Sequence, residues 1–267
     1  MTTDEWHSRI HALLAPVGPR IVDALGQTGP LTFKTGREVV TAIDREVERV
    51  LAERIRSDFP EHAVIGEEFG RSGPEDAAWE WHVDPVDGTL NYALGIPIFS
   101  VSVALVHEGT TVAGAVFDPL ADEIYCAARG EGAWRGDELL HVSERATLRD
   151  AIGSFQSSQR GRFVQDAAIL QNLHQSIGKL RRLGSVALEL AYVARGTFDV
   201  LLTSKLEPQN LYDVAAGILL VEEAGGRVTD GRGRPFVEGA NELVATNGHA
   251  HDEVLALVAP PERGDEA

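Results

Sequence analysis

The chain contains 267 residues, of which 43% are hydrophobic and 24% charged, a balance typical of globular proteins and not of disordered ones. Its 24 basic and 41 acidic residues leave a net charge of −17, which argues against nucleic acid or membranes as partners, because both present negative charge. No segment approaches the roughly 20 apolar residues that cross a bilayer, and no signal peptide is expected. The only cysteine, Cys126, excludes an internal disulfide, is expected to be buried, and favours a cytoplasmic location.

The first half of the chain changes from helical to strand patterns. Apolar residues at helical spacing over 4–25, interrupted by two prolines, predict one kinked helix or two short ones. A stronger apolar stripe predicts a helix over 41–57. The β patterns that follow predict strands at 64–65 and 79–83, a polar loop at 70–78, and an antiparallel meander at 101–106, 111–117 and 123–127.

The second half alternates between helices and extended segments. Helices are predicted near 163–176, 184–195, 213–224 and 251–258, and extended segments near 198–202, 226–229 and 242–246. Gly225 is expected to end its helix in a left-handed conformation, and the polar tail 260–267 is expected to be disordered. Because helices and strands are mixed along the chain, we expect layers of both around a shared core.

The most informative segment is Asp84-Pro85-Val86-Asp87-Gly88-Thr89. A strand is expected to end at Asp84, and Asp87 follows a proline turn, so both carboxylates can converge on one point. Two carboxylates held close together raise each other's pKa unless a cation lies between them, and hard oxygen ligands favour Mg²⁺, Mn²⁺ or Ca²⁺. Gly88 permits close approach of a ligand, and the N–H groups after it could hold a phosphate. Seen alone, this pattern is more often an ordinary turn than a metal site.

Other acidic residues lie at comparable positions. Glu67 and Glu68 follow a short apolar strand, and Asp213 begins an apolar helix. Each has an ordinary explanation, a solvated loop for the glutamates and a helix cap for the aspartate. His82 lies on the same strand face as Asp84, and we expect it to be a hydrogen-bonded structural residue and not a metal ligand.

Taken in order, these fragments resemble the inositol monophosphatase superfamily, which includes fructose-1,6-bisphosphatase-like and 3′-phosphoadenosine phosphatase-like enzymes. The resemblance spans about residues 30–250. Each motif is weak alone, and their common order makes the resemblance specific. The motifs are Thr41-Ala42-Ile43-Asp44, Gly66-Glu67-Glu68, the Asp84–Thr89 segment, Gly184-Ser185-Val186-Ala187, Tyr212-Asp213-Val214-Ala215-Ala216-Gly217 and Glu222-Glu223-Ala224-Gly225-Gly226.

This resemblance implies the fold and the reaction. The fold would be a layered αβαβα sandwich of the sugar-phosphatase type, of class α+β or α/β, with mixed, largely antiparallel sheets. One catalytic unit would occupy residues 1–267, with subdomains of roughly 1–150 and 151–260. The reaction would be hydrolysis of a small phosphate monoester, such as inositol monophosphate or a related sugar or polyol phosphate, by activated water without a phosphoenzyme.

The resemblance also implies a cofactor of two to three Mg²⁺ ions, for which Mn²⁺ could substitute. Their positive charge would offset the repulsion between this acidic protein and an anionic substrate. One ion would be held by Glu67, Asp84 and the carbonyl of Val86, and a second by Asp84, Asp87 and Asp213, with Glu67 also placing a third. The family is commonly homodimeric and lithium-sensitive, so both properties are expected here.

Catalytic and substrate roles follow from the same resemblance. Thr89 and Asp44 would form a hydrogen-bonded pair that orients the attacking water, with Glu68 close by. The predicted substrate contacts are Asp87, Gly88, Thr89, Gly184, Ser185 and Asp213.

Departures from the family pattern put inositol specificity in doubt. Tyr212 stands where tryptophan is usual, and Leu206 stands where the inositol-specific members have a glutamate. Glu207 or Lys205 could replace that glutamate within the loop 203–210.

Two further interpretations therefore remain open. The first is another phosphatase on the same scaffold, a fructose-1,6-bisphosphatase, a histidinol-phosphate phosphatase or a 3′-phosphoadenosine 5′-phosphate phosphatase. Arg160 and Arg162 could hold a second phosphate there, although solvated arginines are more common. The second is a regulatory or binding protein that retains the fold. The intact acidic set argues against it: Asp44, Glu67, Asp84, Asp87 and Asp213.

Overall fold

The computed structural model describes residues 3–27, 32–33, 39–157, 163–204 and 210–258. The α-helices in these ranges are α1 (Thr3–Leu14), α2 (Gly18–Ala24), α3 (Ala42–Asp58), α4 (Thr89–Ala93), α5 (Phe163–Ser176), α6 (Val186–Ala194), α7 (Leu211–Glu223) and α8 (His251–Val258). The strands are β1 (Thr32–Phe33), β2 (Val39–Val40), β3 (Ala63–Gly66), β4 (Gly70–Ser72), β5 (Trp79–Asp87), β6 (Ser100–His107), β7 (Thr110–Asp118), β8 (Glu123–Ala128), β9 (Ala133–Arg135), β10 (Glu138–Leu139), β11 (Ile152–Ser157), β12 (Lys179–Arg181), β13 (Val200–Ser204), β14 (Arg227–Thr229) and β15 (Glu242–Thr246).

These strands form two substantial sheets and one short hairpin. The large sheet has the order β10-β9-β8-β7-β6-β5-β3-β4, and all its neighbours are antiparallel except β3 and β5. The small sheet has the order β12-β11-β13-β15-β14, in which β11 runs parallel to both of its neighbours. The short strands β1 and β2 pair antiparallel. The predicted mixed, largely antiparallel sheets are therefore confirmed.

The helices form layers on and between the two sheets. One core joins α1, α2 and α3 to one face of the large sheet, and it contains Val103. A second core, which contains the adjacent Ala104, joins the opposite face to α6, α7 and the small sheet. A third core joins α5 and α8 to the outer face of the small sheet. Val103 and Ala104 are neighbours on β6 and therefore point to opposite faces of the large sheet. The three cores thus cover both faces of each sheet with helices or with the other sheet. The predicted αβαβα order is confirmed.

Close packing fixes α7, the helix that carries Asp213. A Cβ added at Gly217 would lie 2.5 Å from the Cβ of Leu190 on α6, and one added at Gly114 would lie 2.7 Å from the Cα of Ala216. Both distances are shorter than contacts between real side chains, so these glycines allow α7 to approach α6 and β7. The first turn of α7 is thereby held against the end of the large sheet.

Gly217→Ala is therefore expected to destabilise the protein. Alanine improves helix propensity by about 1 kcal/mol, but overpacking a core helix contact costs about 1–3 kcal/mol. Because one of the two obstructing atoms at 2.5 Å is the Cβ of Leu190, which cannot move away by a rotation of the side chain, we expect the packing cost to exceed the propensity gain. Urea denaturation would measure the change in the midpoint, and an unchanged or raised midpoint would contradict the tight contact.

Most predicted elements are confirmed, with shifted ends. The segment 4–25 forms two short helices, and the helix predicted over 41–57 begins after Thr41, whose side chain forms a capping box with Asp44. The meander is present as β6, β7 and β8, and Gly225 has the predicted positive φ, at 89°. Cys126 is buried as expected.

Two expectations about strands were wrong, and some strands were missed. The polar loop 70–78 contains β4, and the strand predicted to end at Asp84 continues to Asp87. The strands β11 and β12 were not predicted at all. The sequence of β11 contains a glycine, two serines and a glutamine, so it lacks the apolar alternation by which strands are identified.

Some expectations lie outside the described residues. These concern Arg160, Arg162, Lys205, Leu206, Glu207 and the tail 260–267. Among the helices that the structure describes, none combines the length and apolar character needed to span a membrane.

Candidate active site

A cavity of about 280 Å³ opens where the end of β5 meets the first turns of α4, α6 and α7. Its lining residues are far apart in the sequence and come from both halves of the chain. Eight of the predicted site residues line it: Glu67, Asp84, Val86, Asp87, Gly88, Thr89, Gly184 and Asp213. Leu90 and Val186 complete the lining. Three predicted residues, Asp44, Glu68 and Ser185, are not part of the lining.

A bulge in β5 places the two central aspartates. Asp84 is opposite Ser102 and Asp87 is opposite Ser100, so two residues on β5 correspond to one on β6. Pro85 has no N–H group to donate to the sheet, which explains why the ladder shifts here. The backbone N–H of Val86 donates to Oδ1 of Asp84 at 3.0 Å. In a regular strand, residues three positions apart face opposite sides, so the irregularity is what lets both Asp84 and Asp87 face the same cavity.

Asp84 is the most electrostatically perturbed of these groups. It is only 3% exposed, and burial raises its pKa well above the usual range. The nearby carboxylates of Glu67, Asp87 and Asp213 raise the pKa of Asp84 further, because each disfavours another negative charge. A cation among these groups would remove the repulsion.

Asp87 connects the two halves of the chain. Its carboxylate accepts hydrogen bonds from the hydroxyl of Ser185 at 2.6 Å and from the backbone N–H groups of Val186 at 3.1 Å and Ala187 at 2.8 Å. Asp87 thus caps the N-terminus of α6 from another element. Burial raises the pKa of Asp87 to about 6, although the hydrogen bond from Ser185 acts in the opposite direction.

Thr89 and Asp44 form the predicted hydrogen-bonded pair. The hydroxyl of Thr89 lies 3.1 Å from Oδ1 of Asp44 and 3.0 Å from the carbonyl oxygen of Val86. A hydroxyl has one proton, so it donates to only one of these acceptors at a time. Asp44 is fully buried, and burial raises its pKa. Glu68 is close enough to raise the pKa of Asp44 further, and its side chain lies 3.8 Å from Nε of Arg45.

Glycine is required at position 88. Gly88 has φ of +93°, and a Cβ there would lie 3.1 Å from the carbonyl oxygens of Gly184 and Ile98. The side chain of Asn91 crosses the same gap, since its Nδ2 donates to the carbonyls of Ile98 and Leu183. The segments that follow β5 and precede α6 are therefore fixed to each other at the cavity wall.

Sequence reasoning missed several residues of the site and misjudged one. Asn91 and Ser100 were not predicted, and Ser100 lies 3.3 Å from Asp87 and 3.2 Å from Ser185. The prediction that His82 is hydrogen-bonded was wrong, because it is buried and neither ring nitrogen has a hydrogen-bond partner among the described residues, although its Nε2 lies 3.6 Å from Oε2 of Glu80. Asn91 could have been found from its position just after the Asp84–Thr89 segment, whereas Ser100 carried no local signal.

The sequence that forms this cavity matches that of a known family. The sequence model of the Inositol monophosphatase family matches residues 11–260. The chain belongs to the inositol monophosphatase family. It is accordingly a phosphoric monoester hydrolase that acts on small phosphorylated substrates. The resemblance inferred from the motifs is thereby confirmed.

Individual members of the inositol monophosphatase family are similar over most of the chain. The chain is 36% identical over 248 residues to the "Fructose-1,6-bisphosphatase/inositol-1-monophosphatase" of Thermotoga maritima. The matched region covers 92% of this chain and 93% of that protein. It is 37% identical over 231 residues to the Nus factor SuhB of Pasteurella multocida, covering 86% and 85%. The solved structure of the Thermotoga maritima IMPase has a TM-score of 0.85 at 35% identity, covering 94% of this chain and 95% of that one.

The donors in this inositol monophosphatase cavity fit a hard divalent cation. All of its potential ligands are oxygens, the four carboxylates of Glu67, Asp84, Asp87 and Asp213 and the carbonyl of Val86, which suits Mg²⁺ better than Zn²⁺. Within the described part of the chain, no three acidic, histidine or cysteine side chains form a ready-made metal site. The fit of a divalent cation therefore rests on two observations: the oxygen ligands line one cavity, and the neighbouring carboxylates repel a charge on Asp84.

Proposed function

We propose that this chain hydrolyses a small phosphate monoester, inositol monophosphate or a related sugar or polyol phosphate, in a Mg²⁺-dependent reaction that releases inorganic phosphate. The observation that carries the proposal is the convergence of four carboxylates on one cavity beside the Thr89–Asp44 pair. Repelling carboxylates buried together cost stability, and a cation that joins them is the simplest reason for their presence.

The proposed ligands divide between two main ions. Glu67, Asp84 and the carbonyl of Val86 would hold the first, and Asp84, Asp87 and Asp213 the second, with a third and weaker ion near Glu67. When bound, Mg²⁺ supplies a Lewis acid that lowers the pKa of water and offsets charge on the phosphate and the leaving oxygen. Mn²⁺ is proposed as a substitute because it prefers similar oxygen ligands.

The proposed task of the Thr89–Asp44 pair is to orient the attacking water. If the carbonyl of Val86 is occupied as a ligand, the hydroxyl proton of Thr89 is directed to Asp44, at 3.1 Å. The lone pairs of the Thr89 hydroxyl are then free to accept a hydrogen bond from water, with Glu68 as a further nearby carboxylate. Orientation of this kind lowers the barrier because the reactants no longer have to find the right geometry.

The proposed phosphate and substrate contacts surround the same cavity. Gly88 and Thr89 would donate backbone N–H groups to phosphate oxygens, and Gly184 would border the leaving group. Asp87 and Asp213 would contact the metal ions and the substrate hydroxyls, and Ser185, which is buried, would act through its hydrogen bond to Asp87. Because residues of both halves line the cavity, we also propose that the whole chain acts as one catalytic unit of two subdomains, about 1–150 and 151–260.

Thr89→Val is expected to lower kcat by roughly 100-fold, the lower part of the range for a positioned proton-transfer group. Mg²⁺ affinity should change little, because the hydroxyl is not a proposed ligand. Thr89→Ser retains the hydroxyl and should recover most of the activity. Steady-state phosphate release at saturating Mg²⁺ measures the effect, and equal activity of the valine and serine variants would eliminate the hydroxyl from the mechanism.

A phosphate-release screen of the purified protein with and without Mg²⁺ tests the proposed function. The panel contains inositol 1-phosphate, fructose 1,6-bisphosphate, 3′-phosphoadenosine 5′-phosphate, histidinol phosphate and glycerol 2-phosphate. Release that requires Mg²⁺ would support the reaction, and the order of the rates would identify the substrate. No release from any of them by folded, metal-bound protein would reject the proposed substrates.

Fructose 1,6-bisphosphate is the second candidate substrate. The relative from Thermotoga maritima carries a name that combines both activities and is 36% identical to this chain. Histidinol phosphate and 3′-phosphoadenosine 5′-phosphate are retained as further alternatives on the same scaffold. A regulatory role without turnover is less favoured, because all four acidic residues that line the cavity are present.

Other proposals follow from membership of the family. We propose a homodimer, for which the adjacent exposed residues Leu94 (57%) and Ile96 (40%) offer an apolar contact surface. Sensitivity to lithium is proposed because Li⁺ would compete at an Mg²⁺ site. We propose a cytoplasmic location, with which the single, buried cysteine is compatible. We also propose that nucleic acid is not a partner, because the net charge of −17 would repel it.

A further inference from the structure

Glu48 is a buried carboxylate that none of the roles above uses. It lies on α3 one turn after Asp44 and is 2% exposed. Its Oε2 accepts a hydrogen bond from the backbone N–H of Glu68 at 2.7 Å, and its Oε1 accepts one from that of Phe69 at 2.9 Å. A buried charge has to be compensated by donors, and these two donors belong to the segment directly after Glu67.

Gly66 makes room for this contact. A Cβ at position 66 would lie 1.9 Å from Oε1 of Glu48 and 2.2 Å from its Cδ. Any other residue would displace the carboxylate from the two amides. The carboxylate of Glu48 occupies the space that a side chain at position 66 would need, which explains the glycine of the Gly66-Glu67-Glu68 motif.

We propose that Glu48 is a positioning residue that fixes segment 66–69 with Glu67 facing the cavity, and so sets the affinity for the metal ions. This inference rests on the proposed function. The same helix would then align two parts of the site, because Asp44 reaches Thr89 and Glu48 reaches the segment of Glu67. Residues four apart lie on the same helix face, which explains how α3 serves both.

The proposal requires a carboxylate and not only a side chain of this size. A carboxylate accepts hydrogen bonds at both oxygens, as the two backbone donors demand. Glutamine has one accepting oxygen, and its NH₂ group would face the remaining N–H. One hydrogen bond would be replaced by a contact between two donors, which leaves one backbone N–H without its carboxylate acceptor.

Glu48→Gln tests the proposal through two measurements. Isothermal titration with Mg²⁺ should give an affinity about 10- to 100-fold weaker than wild type, the range for residues that support metal ligands. Hydrogen exchange of the metal-free protein, followed by NMR, should be about tenfold faster at one of the two amides, that of Glu68 or that of Phe69, as loss of a hydrogen bond to a charged group predicts. Glu53→Gln, at an exposed position of the same helix, should change neither.

A second set of variants separates positioning from general loss of stability. Gly66→Ala should weaken Mg²⁺ binding by displacing Glu48, but in a Glu48→Ala background it should cause no further loss, because the obstructing carboxylate is gone. Equal losses from Gly66→Ala in both backgrounds would contradict the proposal. So would a Glu48→Gln variant whose Mg²⁺ affinity lies within twofold of wild type.

The wild-type titration distinguishes failure of this inference from failure of the proposed function. If the wild-type protein bound no Mg²⁺, the proposed function would fail, and unchanged exchange at Glu68 and Phe69 in Glu48→Gln would then overturn the positioning role as well. If the wild type binds Mg²⁺ and the variant binds it equally, only the role of Glu48 is rejected.

Discussion

Asp84→Asn is expected to lower kcat/KM for a phosphate monoester by on the order of 1,000-fold in saturating Mg²⁺, which corresponds to about 4 kcal/mol of transition-state stabilisation. Asp84 is the carboxylate proposed to contact both main ions, so its neutralisation affects both. Asparagine preserves the size of the side chain and an oxygen that can accept the hydrogen bond from Val86 N–H. The expected loss therefore reports on charge and not on misfolding.

The same substitution is expected to stabilise the metal-free protein. Burial and the neighbours Glu67, Asp87 and Asp213 disfavour a charge on Asp84, so a neutral amide removes repulsion that the folded state otherwise bears. The variant should thus melt at a higher temperature than wild type in EDTA and gain less from Mg²⁺. A folding defect would lower both the melting temperature and the activity.

Asp76→Asn is the matched control, because it removes one carboxylate at an exposed position of the same half of the chain. It should leave turnover and both melting temperatures within error of wild type. If Asp84→Asn retained turnover within tenfold of wild type at saturating Mg²⁺, Asp84 would not be a metal ligand.

The parts of the fold that could be predicted are those whose signal is local. The helix α3 shows an apolar stripe and a capping residue, and the meander from β6 to β8 shows short β runs between turn residues. The site residues were predicted because their order in the chain resembles a family. The structure brings Glu67, Asp84 and Asp213 to one cavity, although their roles remain proposals.

The parts that could not be predicted depend on contacts between distant residues. The strand β11 is polar because Ser154 and Gln156 both donate to the buried Glu189, which lies more than 30 residues away. Nothing near Ser154 in the sequence indicates that partner. Glu48 is similar, since its acceptor role appears only when α3 is placed beside a segment 20 residues later. The bulge after Asp84 could not be predicted either, because it is defined by the pairing of β5 with β6.

The stabilisation by Mg²⁺, measured as the melting temperature in Mg²⁺ minus that in EDTA, is expected to increase as pH rises from 5 to 8. The folded-state pKa of Asp87 is raised from 3.8 to about 6, and that of Asp84 is raised as well. A carboxyl with a raised folded-state pKa binds its proton more tightly when folded. Its contribution to stability is therefore complete below the unfolded-state pKa and lost as pH rises through the folded-state pKa.

Because Mg²⁺ and protons compete for the same carboxylates, the stabilisation by Mg²⁺ should be largest at pH 8 and small at pH 5. At 100 times its Kd, a ligand stabilises by about 2.7 kcal/mol, or roughly 5–10 °C for a chain of this size. Scanning calorimetry in EDTA and in Mg²⁺ across this pH range measures the difference. Burial also raises the pKa of Glu189 and lowers the pKa values of His62, His82 and His251, but these groups titrate in both samples and cancel from the difference. Asp84→Asn should reduce the Mg²⁺ shift at pH 8, whereas a wild-type shift of equal size at pH 5 and pH 8 would place the bound ion away from these buried carboxylates.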